Sequence, residues 1–202
     1  MTARPRPPLA GGPAEEALRR DDYLARIRRH YEEQWQAESI VVPLAEGRPG
    51  LPEGFSVLCF DRPQGHPVAV FATCGMSMVD DPRRVELHVS ARAARQEVAG
   101  ALASIAAGHR GGHAAEVHQI VDVGEPWWPG SRCSHGFVAP PYLWGPAIEW
   151  LHLREGSVRC LWIIPITTEE AEKGRRSGGE ALEAQLQDGS FDHLDPGRVG
   201  FA

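Results

Sequence analysis

The sequence predicts an α+β fold, a single domain built on a sheet with flanking helices behind a disordered N-terminal leader. Three observations predict it. Ile148 to Ile166 is a near-continuous apolar hairpin whose second arm, carrying Val158, Leu161, Trp162, Ile163 and Ile164, is apolar on both faces, as a strand inside a sheet requires. Short apolar runs recur along the chain, separated by 22 glycines and 17 prolines that act as punctuation for many short elements. Helical periodicity is confined to a few stretches, led by Leu24, Ile27, Tyr31 and Trp35.

A chain of 202 residues, 42% hydrophobic and 24% charged, fits one ordinary globular domain. It can bury about 70% of its unfolded surface and needs neither a metal nor a disulfide for stability, so no cofactor is expected. The net charge of -6 and the pI near 5.8 argue against a general nucleic-acid or anionic-membrane binder and fit a basic protein partner. Cys59, Cys74, Cys133 and Cys160 contain no Cys-x-x-Cys pair. Three of them, Cys59, Cys74 and Cys160, lie in strand-like runs where a free cysteine is a small buried hydrophobe, which favours a reducing compartment. No segment has the apolar length of a membrane span, and the first ten residues lack the apolar core of a signal peptide; a cytoplasmic location is expected.

Residues 1–12 are rich in proline, arginine and glycine and read as the leader; residues 13–54 read as an N-terminal helix and its connection, and 55–202 as the main domain. The helix starts at Pro13 and buries the Leu24 stripe, its other faces carrying mixed charges that read as solvated. Strands are expected at Ser39 to Leu44, Phe55 to Phe60, Pro67 to Thr73, Val85 to Val89 and Glu116 to Val123. The third ends in Cys74-Gly-Met-Ser77, where a glycine marks a sharp exit and presents Met76 and Ser77 on a loop. Ala93 to Ala107 is a helix with Ala94, Val98, Leu102 and Ile105 inward, stopped by Gly108. After the hairpin, Pro165 should close the strand and Thr167-Thr-Glu-Glu170 forms a capping box that opens a helix. Ser177-Gly-Gly-Glu180 reads as a second box, with Gly189 at the helix stop.

Chemistry has few candidates. His109, His113, His118, Cys133 and His135 cluster in sequence, but only Cys133 and His135 form a close pair, and that spacing does not match a structural zinc site; no metal is expected. A Gly-x-Ser-x-Gly elbow and the phosphate-loop and dinucleotide fingerprints are absent, so no catalytic residue is assigned. A metal- or thiol-dependent enzyme would have to use His113, His118, Cys133 and His135. Trp127 and Trp128, between Pro126 and Pro129, are expected on a surface loop, either anchoring a partner or folding back as a satellite cluster.

The separated segments Thr73-Cys-Gly-Met-Ser77, Val85-Glu-Leu87, Cys133-Ser-His-Gly-Phe-Val-Ala-Pro-Pro141, Trp162-Ile-Ile-Pro-Ile-Thr-Thr-Glu-Glu170, Glu180-Ala-Leu182 and Leu194-Asp-Pro-Gly-Arg198 occur in an order that resembles the suppressor of fused domain, from about Phe55 to Ala202. The resemblance implies a mixed-sheet domain of that type without known catalytic residues. Animal members act as scaffolds that sequester a transcription factor, whereas bacterial relatives are thought often to be immunity proteins that neutralise a toxin. It therefore implies a non-enzymatic protein-binding module, of the immunity kind, with a toxin domain as the partner; a transcription-factor scaffold is the alternative. Within that reading Gly75, Met76, Ser77, Trp127 and Trp128 are the expected partner-binding residues.

Overall fold

The computed structural model describes residues 13–45, 49–78, 83–113, 115–154, 156–188, 192–195, 197–198 and 200. The expected leader and Gly189 lie outside the described residues. In chain order the elements are α1 (Pro13–Trp35), β1 (Ser39–Val42), β2 (Ser56–Asp61), β3 (Ala69–Cys74), β4 (Val85–Ala91), α2 (Gln96–Arg110), β5 (Ile120–Asp122), β6 (Cys133–Ala139), β7 (Trp150–Leu153), β8 (Gly156–Thr167), α3 (Thr168–Ser177) and α4 (Gly179–Gln187). Among the described residues the strands form one eight-stranded sheet in the order β1-β2-β3-β4-β8-β6-β5, with β7 also paired to β8. β4 and β8 run parallel and every other pair is antiparallel, so the sheet is mixed, with helices on both faces.

Side-chain alternation sorts the core. On β2, Val57 and Cys59 face the cluster built around Val98, Leu102 and Ile105 of α2, while Leu58 and Phe60 face Ile27, Tyr31 and Trp35 of α1. The Leu24 stripe therefore covers one sheet face, and α2 covers the other. A third cluster joins Phe137, Ile164 and Ile166 to Ala171, Leu182 and Leu186, docking α3 and α4 on β6 and β8.

Three expectations need correction, and one strand was not expected. Pro165 does not close the strand; β8 continues to Thr167 and Pro165 pairs with Gly136. β4 accompanies β8 only as far as Trp162, so Pro165 lies where β8 has a neighbour on one side, the position at which a missing N–H is tolerated. Cys133 to Ala139 is a strand that was not among those expected. Its Gly136 is required by packing, because a Cβ there would lie 2.4 Å from Ile163 Cδ1. The second capping box does not form: Ser177 Oγ donates to Lys173 O, and α4 starts from Gly178 at φ 91°. Gly179 follows because a Cβ would sit 2.3 Å from His118 O. Finally, α2 begins at Gln96 and runs past Gly108 to Arg110, leaving Ala94 exposed ahead of it.

Candidate functional site

Gly75, Met76 and Ser77 are buried, and Met76 and Ser77 are each 1% exposed. They are not a presented surface because they wrap a carboxylate. Glu86, on β4, has no solvent contact. It accepts the backbone N–H groups of Gly75 (3.0 Å), Met76 (3.3 Å) and Ser77 (3.0 Å), and the hydroxyls of Ser77 (2.5 Å) and Thr73 (2.5 Å). Gly75 takes φ 105°, which aims successive amides inward, and a Cβ there would meet Leu24 Cδ2 at 2.9 Å. Burial raises the Glu86 carboxyl above its ordinary range, and the hydrogen bonds from Ser77, Thr73 and Gly75 pull it back down. Two residues along, His88 is also wholly buried, against Trp35 (5.5 Å between ring centroids) and Tyr31 (6.5 Å). Burial pushes its imidazole down to about 3, so it stays neutral. This polar row beneath α1 went unread in the sequence. Its one signal was a carboxylate and a histidine alternating in an otherwise apolar strand.

A second buried carboxylate, Glu170, sits in the first turn of α3, where the expected capping box does form: Thr167 N donates to Oε2 (2.9 Å) and Glu170 N donates to Thr167 Oγ1 (3.3 Å). Arg198 clamps the same carboxylate, with Nη2 at 2.8 Å from Oε2 and Nη1 on Oε1, and Nη2 also donates to Pro165 O (3.0 Å). Two of the sequence segments that carry the family resemblance thus meet in one ion pair, and two others meet at Glu86.

The histidine and cysteine set does not assemble into a centre. Among the described residues no three of His, Cys, Asp and Glu converge as metal ligands. His118 bonds Glu183 (3.0 Å) and stacks on Phe137; His109 Nδ1 accepts from Ala115 N (3.0 Å); His113 is exposed. His135 Nδ1 lies 3.0 Å from Ser134 Oγ. The four cysteines are free and buried, and burial pushes the Cys133 thiol up to about 11, so it is protonated at neutral pH.

Trp127 and Trp128 belong to the core, 0% and 6% exposed. Trp127 N donates to Cys133 O (3.0 Å) and its indole N–H to His135 O (2.8 Å), pinning the loop to β6. Both residues line a groove of about 590 Å³. One wall is the stretch after β1, Pro43 to Ala45; the other is the stretch after β5, Val123 to Pro129; the base is the first half of α2. Since β1 and β5 are the two ends of the sheet, the groove is the seam between the stretches that follow those ends, over α2. Glu97 and Glu125 stand exposed on its lining.

No helix among the described residues is long and apolar enough to cross a membrane. No curated protein matches the sequence. Among solved structures, the chain is similar to a putative suppressor of fused homolog from Neisseria gonorrhoeae, with a TM-score of 0.77 at 22% identity over 89% of this chain and 97% of that one. It is also similar to a chain in the Sufu-Fu complex (TM-score 0.65, 13% identity, 88% of this chain and 91% of that one). Drosophila Suppressor of Fused gives a TM-score of 0.63 at 13% identity over 88% of this chain, which spans 50% of that longer protein. These likenesses establish the fold; the family model for suppressor of fused protein matches residues 52–199, and on that match the chain belongs to the suppressor of fused family.

Proposed function

We propose that this protein is a non-enzymatic, cytoplasmic protein-binding module that acts as an immunity protein, neutralising a bacterial toxin by covering it. Family membership is the observation that carries the reading, because a relative of the same fold occurs in a complex, Sufu-Fu. The net charge of -6 supports a basic partner, since complementary charge speeds encounter. Trp127 and Trp128 serve that partner as the buried, rigid backing of the Val123–Pro129 wall of the seam groove. Gly75, Met76 and Ser77 contribute through the fold, by holding Glu86, not by contact.

The test is survival. Cells producing a toxin domain encoded beside this protein should live when the protein is co-expressed and die when it is omitted. Equal killing in both cultures would sink the immunity reading; if capture from host cells then returned a transcription factor in stoichiometric amount, the scaffold role would replace it.

A further inference from the structure

We infer that the seam groove over α2 receives an arginine side chain, carried on an extended segment of the protein partner; the inference rests on the protein-binding reading and adds the chemistry of the contact. Size comes first. A volume of about 590 Å³ falls in the range of pockets that enclose a ligand, larger than one side chain and suited to a side chain with its flanking backbone. The lining comes second. Pro43, Pro126 and Pro129 are exposed on the lining and Trp127, Trp128 and Val123 are buried behind it, so much of the lining is apolar, with Gln96 and Ser104 as its neutral polar side chains. Charge decides the rest. Glu97 lies on the base and Glu125 on one wall, and no Lys or Arg lines the groove among the described residues.

A lining of exposed prolines with exposed carboxylates suits a side chain with an apolar stem and a delocalised cationic head. Arginine is that side chain: its methylenes pack against the proline rings, and its planar fork meets carboxylates. The two carboxylates are not equivalent. Glu97 lies in the first turn of α2, where the partial positive charge of the helix terminus already offsets it, whereas Glu125 is on a loop with no such compensation. Glu125 should therefore carry the larger share of the attraction.

The probe is the capped peptide acetyl-Gly-Pro-Arg-Leu-Gly-amide, with its citrulline counterpart as control, and the readout is the indole N–H resonances of Trp127 and Trp128 in the whole protein. The arginine peptide should shift both signals saturably, and its affinity should fall with added salt. Citrulline should bind about tenfold more weakly, Glu125→Gln should lose about fivefold, and Glu97→Gln about twofold. Equal shifts with arginine and citrulline, or none with either, would overturn the inference. Binding that appears only after removal of residues 1–12 would also overturn it, by assigning the groove to the chain's own Arg4 and Arg6. The functional reading is separable: a partner held as tightly by the Glu97→Gln/Glu125→Gln double variant as by the parent removes the groove and leaves the binding module standing.

Discussion

Glu86 and Glu170 occupy one sheet-centred core, each without solvent contact, and the chain treats them differently. At Glu170 the charge meets a full opposite charge, from an arginine 28 residues downstream that arrives as a fork and also reaches Pro165 O. Among the described residues the charge at Glu86 meets dipoles: three backbone amides from one tight loop and two hydroxyls. The arginine compensates by Coulomb attraction and closes a long stretch of chain. The loop compensates by geometry, so its glycine and the order of its residues matter more than any one contact. Family segments that look unrelated in the sequence are thus paired in space, each pair serving one buried carboxylate.

Breaking the ion pair should have the largest effect. Arg198→Ala leaves Glu170 charged and buried, which costs about 3–5 kcal/mol, read as a fall in the urea midpoint without a change in slope. A cost near zero would mean that water reaches Glu170 in solution. Glu86→Gln comes next, at about 1–3 kcal/mol, because one end of the new amide must point an N–H at groups that are themselves donors. The same variant tests the sign of the titration. Since the folded state raises the Glu86 carboxyl, the native protein holds that proton more tightly than the unfolded chain does. Stability should therefore fall as pH rises from the ordinary carboxylate value, about 4.3, toward the raised one, and Glu86→Gln should flatten that part of the profile. An unchanged profile would assign the slope to other groups.

The contrast also explains what was legible in the sequence. The β7–β8 hairpin and the Thr167–Glu170 box were readable because periodicity and capping are local properties of a few consecutive residues. β6 was hidden because Ser134, His135 and Gly136 break strand composition, and the glycine is explained only by Ile163 on another strand. The exit at Gly75 was legible as a sharp turn, but its object was not, since Glu86 is brought beneath it by the pairing of β3 with β4. Trp127 and Trp128 were open to two readings because a proline-flanked loop has the same composition whether it faces solvent or is pinned to β6 by an indole hydrogen bond. The groove they line brings together stretches that follow β1 and β5 with part of α2, a juxtaposition that no local pattern records.

The smallest effects sharpen the comparison most, because a threonine stands beside each carboxylate. Thr73 Oγ1 donates to Glu86 Oε2 at 2.5 Å and accepts Leu87 N at 2.8 Å, so its hydroxyl bears directly on the charge. Thr167 Oγ1 accepts the backbone N–H of Glu170 and bonds the neighbouring, exposed Glu169 carboxylate, not the buried one; the link from Thr167 to the Glu170 carboxylate runs through its main-chain N–H, which substitution leaves intact. Thr73→Val should therefore cost about 1.5–3 kcal/mol, the worth of a hydrogen bond to a charged group, and Thr167→Val about 1 kcal/mol, the worth of a helix cap. Losing a donor to the ionised form also pushes the Glu86 carboxyl further up. The pH window over which stability declines should accordingly widen in Thr73→Val and keep its parental width in Thr167→Val. Equal costs and equal windows would mean that the amide loop alone holds Glu86, with the hydroxyls as bystanders.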